Sequence, residues 1–286
     1  MNKLRDTELI ITKDARIYHL NLKKNEIADN IILVGDPERV SQISKKFQII
    51  EYKIEHREFI THTGFYNKKR ISVISSGIGT DNIDIVINEI DALVNIDFET
   101  RKINSTKKSL NIIRLGTSGS LNKDILVDSF IVSSYAIGFD GLAHFYKTNE
   151  IHDKALEETF IEHTNWSKNH ARPYAIKASE NLLEKFQNFK NGITLTATGF
   201  YGPQARELRL ESSIENIQSM IEKINYNKLE ITNLEMETSA LYFLGRSLGH
   251  NTLTICAILG NRLTQEYSKK PEKTIDQLII KVLNKL

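Results

Sequence analysis

The sequence predicts a single-domain α/β protein. Short runs rich in β-branched residues alternate with amphipathic segments along the whole chain. That is the pattern of strands covered by helices. The 286 residues include only 4 prolines and no Gly/Ser/Pro-rich linker. Nothing marks a boundary, and residues 1–286 read as one domain. No segment repeats.

The elements follow in order. IILVG at 31–35 is a buried strand. DPERVSQISKKF at 36–47 is a helix, with Val40, Ile43 and Phe47 on one face and Asp36 and Pro37 in its first turn. ISVISSGIG at 71–79 is a strand running into a glycine turn, and DIVINEIDALVN at 84–95 is a helix with Val86, Ile90 and Leu93 inward. NIIRLGTSGS at 111–120 and DSFIVSSYAIG at 128–138 are strands. The polar stretch from about 140 to 175, with scattered histidines and the one tryptophan, reads as a long irregular excursion. A helix is expected at 178–189, a strand at 193–200 and a helix at 212–226. EITNLEMET at 230–238 leads as strand or turn into the buried helix SALYFLGRSLG, ended by Gly249. A strand at 252–260 and an amphipathic helix at 272–286 close the chain. Such alternation means a largely parallel, covered sheet. In sheets of that kind, ligands sit beyond the carboxyl ends of the strands.

Composition excludes several classes of function. Lys plus Arg is 38 and Asp plus Glu is 36, a net charge of +2. That argues against a bulk grip on nucleic acid or an anionic membrane, though not against a local cluster of arginines. Cys256 is the only cysteine, which rules out an intramolecular disulfide and a multi-cysteine zinc site. No apolar run approaches the roughly 20 residues that span a bilayer, and the first residues lack a signal-peptide core. A cytoplasmic protein is expected. His163 and His170 are not at the i, i+4 spacing of a helical metal pair, and neither HExxH nor GxSxG occurs. No metal site is expected.

Four pieces can carry chemistry. Gly35-Asp36-Pro37-Glu38-Arg39 sits where a strand meets a helix, a place suited to an anion, with Arg39 as a clamp. Taken alone, it reads first as a capped turn with a solvated arginine, because such turns are common in α/β proteins. Arg114 lies inside the apolar strand NIIRLG, beside Thr117. A buried arginine needs a partner, which is either an anionic ligand or a structural salt bridge. Glu235-Met236-Glu237 ends a strand, and a carboxylate there suits a ribose diol or the first turn of the next helix. Phe200-Tyr201-Gly202-Pro203-Gln204-Ala205-Arg206 offers an aromatic ring, an amide and an arginine, enough to hold a planar heterocycle, or is an ordinary Gly-Pro loop.

Each piece is weak alone; their ordered set is not. GDPERV, HREF at 56–59, SSGIG, RLGTSGSL, FYGPQAR, NLEMETSALYFLG and GNRLTQE together resemble the nucleoside phosphorylase family, closest to its bacterial uridine phosphorylase branch. The resemblance runs from about Tyr18 to the C-terminus and is weakest at 96–110 and 140–190, where extra polar residues occur. It implies a central mixed β-sheet flanked by helices. It implies that Gly35, Arg39, Arg114 and Thr117 bind phosphate, with Arg57 reaching the same phosphate from a neighbouring subunit. His19 would cross the same interface to the ribose 5′-hydroxyl. Met236 and Glu237 would hold the ribose; Phe200, Gln204 and Arg206 would hold the base, with Arg262 bracing that loop. Arg114, Glu237 and Arg206 would be the catalytic set.

The implied activity is conversion of uridine and phosphate to uracil and ribose 1-phosphate by a cytoplasmic homo-oligomer, dimer or hexamer, with a shared site. Phosphate would be a co-substrate, with no cofactor. Purine-specific members resemble one another in carrying an aspartate where this chain has Asn261, and a neutral amide cannot serve as that acid. Purine nucleoside phosphorolysis is the alternative activity, hydrolysis without phosphate another, and a non-catalytic nucleoside-binding protein the alternative from another class. Gly202-Pro203 stands where the uridine enzymes often read Pro-Gly. Some members place a monovalent cation at the dimer interface through a glutamate. Glu58 matches it, but Asn82 replaces an expected serine, and no cation is counted.

Overall fold

The apolar runs become the strands of one large sheet, and the amphipathic segments cover it as helices. The structure, a computed structural model, describes residues 3–147, 150–214, 216–222 and 224–286. In chain order its elements are β1 (Asn30–Val34), α1 (Pro37–Ser44), β2 (Ile49–His56), β3 (Phe59–Tyr66), β4 (Lys69–Ser75), α2 (Thr80–Asn95), β5 (Ile96–Asp97), β6 (Lys102–Ile103), β7 (Asn111–Ser120) and β8 (Phe130–Gly138). There follow α3 (Lys154–Thr164), β9 (Tyr174–Lys177), α4 (Glu180–Lys185), β10 (Lys190–Thr196), α5 (Ile217–Ile221), β11 (Asn225–Tyr226), β12 (Leu229–Glu235), α6 (Thr238–Ser247), β13 (Asn251–Asn261), β14 (Glu266–Tyr267) and α7 (Pro271–Leu283).

Among the described residues the sheet has 12 strands, in the order β11-β12-β10-β8-β13-β7-β1-β4-β3-β2, with β9 on β8 and β14 on β13. It is mixed. β1 runs parallel to β4 and β7, and β10 runs parallel to β8 and β12, while β2, β3 and β4 form an antiparallel meander. Beyond the alternation of strand and helix, one pairing shapes the molecule. The end of β12 also pairs antiparallel with the end of β7, Leu234 opposite Gly119 and Asn233 opposite Ser120. β7, β13, β8, β10 and β12 thereby close into a ring. The strand ends carrying Arg114, Thr117 and Glu235 are drawn to one rim.

Local chemistry explains the helices. Asp36 caps α1 by accepting from the Glu38 N–H at 2.9 Å, and Pro37 takes the first helical position, where no N–H is needed. α2 buries Ile83, Val86, Ile87, Ile90 and Leu93 along one stripe. α6 is apolar around most of its circumference and is buried from Thr238 to Gly245. No helix among the described residues is long and apolar enough to cross a membrane.

Several sequence expectations are corrected. The excursion at 140–175, of which residues 148 and 149 lie outside the described residues, is not irregular throughout. It holds α3, capped by Asp153, and the start of β9. The helix expected at 178–189 shortens to α4 (Glu180–Lys185). The helix expected at 212–226 includes residues 215 and 223, outside the described ones; otherwise only α5 is helical, and β11 takes Asn225–Tyr226. The strand expected to reach 200 stops at Thr196. The extra residues at 96–110 include a small hairpin of β5 and β6. β2 is legible in the alternation of Ile50, Tyr52 and Ile54 with charged residues, yet neither it nor β3 is among the expected strands.

Candidate active site

The carboxyl ends of β1, β7, β12 and β13 border a cleft of about 1010 Å³. Gly35, Arg39, Arg114, Thr117, Phe200, Gln204, Arg206, Met236, Glu237 and Arg262 all line it, and so do Glu235 and Asn261. Glu58 and Asn82 border it near Gly77. His19 and Arg57 do not line it. They lie together elsewhere on the surface: the Arg57 guanidinium stacks on Tyr18 at 5.3 Å, and Tyr18 meets the His19 ring edge-on. Glu89 holds His19 through its ring Nδ1 at 2.6 Å and its backbone N–H.

The centre of the cleft is a buried charge cluster. Arg114 projects from β7 and meets Glu235 at 3.2 Å through Nη1 and Glu237 through Nη2. Gly116 makes the fold-back of Arg114 feasible. A Cβ at Gly116 would stand 2.0 Å from Arg114 Nη1. The other Glu237 oxygen accepts from the Gly79 N–H at 2.9 Å, a close approach made by a glycine with φ of +100°. Burial works against the Arg114 charge, but Glu237 and then Glu235 outweigh it and hold the guanidinium above its usual range. Burial pushes the Glu237 carboxyl up, against the pull of Arg114 and with help from Glu235.

Arg39 differs. It is buried in the first turn of α1, and its nearest carboxylate is the half-exposed Asp36 at 3.9 Å. Its Nη1 reaches the Leu115 carbonyl only at 3.5 Å, and among the described residues its Nε has no partner. Burial pulls its pKa down, Asp36 offsets part of that, and nearby Arg114 adds repulsion. Two buried guanidiniums at this part of the cleft, whose Nε atoms have no partner among the described residues, leave N–H donors of a kind that suits an anion.

Elsewhere in the cleft an aromatic ring, an amide and two arginines come together. The Arg206 guanidinium lies 3.9 Å from the centroid of the Phe200 ring and donates to the Gln204 side-chain oxygen at 2.6 Å. That bond fixes which way the Gln204 amide faces. Arg262 donates to the Gln204 and Ala205 carbonyls at 2.6 and 3.0 Å and so clamps the loop. Asn261 is enclosed by backbone. Its amide donates to the Asn122 and Ile125 carbonyls at 2.9 and 2.8 Å, and its oxygen accepts from the Leu263 and Thr264 N–H groups.

Sequence reading omitted Ile78, Ser118, Leu234, Leu259 and Tyr267 from the lining. Ile78 and Ser118 stand inside motifs already singled out, and Tyr267 follows GNRLTQE directly. A one-dimensional motif does not tell which of its neighbours turns inward.

A mixed sheet closed at one rim, with buried arginines and carboxylates in a cleft at its strand ends, is the setting in which the comparisons fall. A family model described as the phosphorylase superfamily matches residues 29–283. The chain is 29% identical over 263 residues to the uridine phosphorylase of Thermococcus kodakarensis, covering 92% of this chain and 83% of that one. It is 29% identical over 257 residues to a DeoD-type purine nucleoside phosphorylase of Clostridium novyi, covering 89% and 92%. Among solved structures, it is similar to a Trypanosoma brucei nucleoside phosphorylase described as showing uridine phosphorylase activity, with a TM-score of 0.84, 28% identity and coverage of 97% and 100%. The chain belongs to the phosphorylase superfamily and is a pentosyl-transferring enzyme of the nucleoside phosphorylase type.

Proposed function

We propose that the protein splits uridine with inorganic phosphate, giving uracil and ribose 1-phosphate. The observation that carries phosphorolysis is the pair Arg39 and Arg114, buried side by side with Arg39 lacking a close carboxylate. Phosphate bound there is neutralised and aimed at C1′. Thr117 and the turn at Gly35 add donors. Glu237 faces the sugar and accepts from its vicinal hydroxyls, with Met236 packing beneath. As the phosphate oxygen bonds to C1′, the C1′–N1 pair passes to the base. Negative charge then spreads to the uracil oxygens, where the Gln204 amide and Arg206 donate hydrogen bonds.

The choice of uridine rests on this corner and on Asn261. Both amide hydrogens of Asn261 are engaged with backbone carbonyls. The Asn261 side chain, a neutral amide, cannot itself protonate a purine ring nitrogen. The similarity to two proteins described by uridine phosphorylase activity supports the same reading. Equal identity to a purine nucleoside phosphorylase keeps the purine reaction as the competing outcome. Arg57 and His19, outside the cleft, are proposed to complete the site of a second copy, which makes the working unit a homo-oligomer.

The test follows uridine absorbance with and without phosphate, beside inosine. Phosphate-dependent loss of uridine is expected. Rapid loss of inosine with none of uridine overturns the pyrimidine assignment, and loss without phosphate overturns phosphorolysis.

A further inference from the structure

We infer that Glu235 is a positioning residue, which divides the charge of Arg114 and fixes the first turn of α6 without touching substrate. The inference rests on the phosphorolytic reading of the cleft. Glu235 borders the cleft, but its carboxylate is fully engaged within the protein. Oε1 accepts from the Thr196 hydroxyl at 2.8 Å and the Thr238 N–H at 3.0 Å. Oε2 accepts from the Glu237 N–H at 3.1 Å and faces Arg114 Nη1 at 3.2 Å. Its side chain is 2% exposed. A carboxylate has about four lone-pair positions, and here each faces a donor. None remains for a sugar hydroxyl.

Two consequences follow. First, Glu235 caps α6 through the N–H groups of Glu237 and Thr238, the residues that begin the helix, and so sets the direction in which the Glu237 side chain leaves the backbone. Second, it competes with Glu237 for Arg114. With Glu235 charged, Arg114 is shared, and Glu237 keeps capacity for the ribose. With Glu235 neutral, Arg114 belongs to Glu237 alone, and the ion pair draws Glu237 away from the sugar. The pivot is anchored from behind. Thr196 Oγ1 accepts from the Ser239 N–H at 3.0 Å, and the Ser239 hydroxyl donates to Asp140 at 2.8 Å. The Tyr174 hydroxyl donates to Asp140 at 2.9 Å. The polar excursion after β8 thus braces the ribose end of the cleft through a chain of buried hydrogen bonds.

The experiment compares wild type, Glu235→Gln and the isosteric Thr196→Val. It combines calorimetry with inorganic phosphate and steady-state rates on uridine and 2′-deoxyuridine, with inosine and 2′-deoxyinosine substituted if the wild type prefers purines. Glu235→Gln removes one negative charge beside the anion receptor. It is expected to bind phosphate at least as tightly as wild type while kcat falls about 10- to 100-fold for the ribonucleoside and at least several-fold for the deoxyribonucleoside, whose 3′-hydroxyl still depends on Glu237. Thr196→Val keeps the charge and loosens the pivot. It is expected to keep phosphate affinity and lose about 3- to 10-fold in kcat. A loss in Glu235→Gln confined to the ribonucleoside means that Glu235 is a direct ligand of the 2′-hydroxyl and overturns the inference. So does an unchanged kcat, or a tenfold fall in phosphate affinity. Failure of the wild type itself to bind phosphate overturns the phosphorolytic reading and this inference with it.

Discussion

Arg39 and Arg114 look alike in the sequence, each a lone arginine near a strand end, but they differ in what surrounds them. Arg114 is matched by two carboxylates, whereas Arg39 has only Asp36 at 3.9 Å. Their alanine variants should separate accordingly. Arg39→Ala leaves no close carboxylate stranded and, on the proposed function, removes a charged contact to phosphate, an effect of about 1.5–3 kcal/mol. Titration of rate against phosphate should show a half-saturating concentration raised roughly 10- to 100-fold, with little change in melting temperature. Arg114→Ala leaves two buried carboxylates facing each other, at a cost of about 3–5 kcal/mol, and its melting temperature should fall well below that of Arg39→Ala. Equal melting temperatures for the two would contradict the charge balance described here. Asn261 makes a third case at this scale. Asn261→Asp sets a carboxylate against the Asn122 and Ile125 carbonyls in place of two donors. Each stranded acceptor costs about 1–3 kcal/mol, so calorimetry should show clear destabilisation, and a melting temperature within a degree of wild type would refute the backbone-locked role.

At the scale of elements, the site depends on where strands end and helices begin. β7 carries Arg114, and Gly116, two residues on, gives the guanidinium the space to turn back. Gly116→Ala puts a Cβ into that space. The variant should lose activity at least tenfold although no ligand-binding group has been removed, a loss readable in kcat/KM. The join between β8 and α6 makes a different prediction. Enclosure raises the Asp140 carboxyl above its ordinary value, against the hydrogen bonds from Leu142, Ser239 and Tyr174. A carboxyl with a raised native pKa binds its proton more tightly folded than unfolded. Its contribution to stability is therefore full below the unfolded value and is lost as pH rises through the folded one. Asp140→Asn removes that dependence. The melting temperature of the variant relative to wild type should climb as pH increases from the unfolded carboxylate range, and a constant difference across pH would disprove the assignment. Elements also show where sequence patterning falls short. α2 and α6 were legible because their apolar stripes are long. α4 and α5 are too short for a period to establish itself, and tertiary contacts set their ends.

At the scale of the whole molecule, Arg57 and His19 form an arginine–aromatic–histidine patch away from the cleft. If a second copy needs them, activity should fall on dilution in step with dissociation measured by light scattering, and Arg57→Ala should depress phosphate use without altering the fold of its own chain. A monomer with full activity would show that the cleft is complete in one subunit. The sequence by itself determined the α/β class, the strand-end position of the chemistry and most residues of the cleft. Hydrophobic period, turn residues and motif order are properties of neighbouring positions, and they survive in one dimension. Only the tertiary structure decided that β12 returns to β7 and closes a ring. It also decided that Glu235 and Glu237 divide one arginine while Arg39 stands nearly alone, and that the amide of Asn261 faces backbone rather than the cleft. Each of these depends on which groups lie within a few ångströms after residues more than a hundred positions apart have met. A charge or an amide acquires its role from that company, and the linear sequence does not state it.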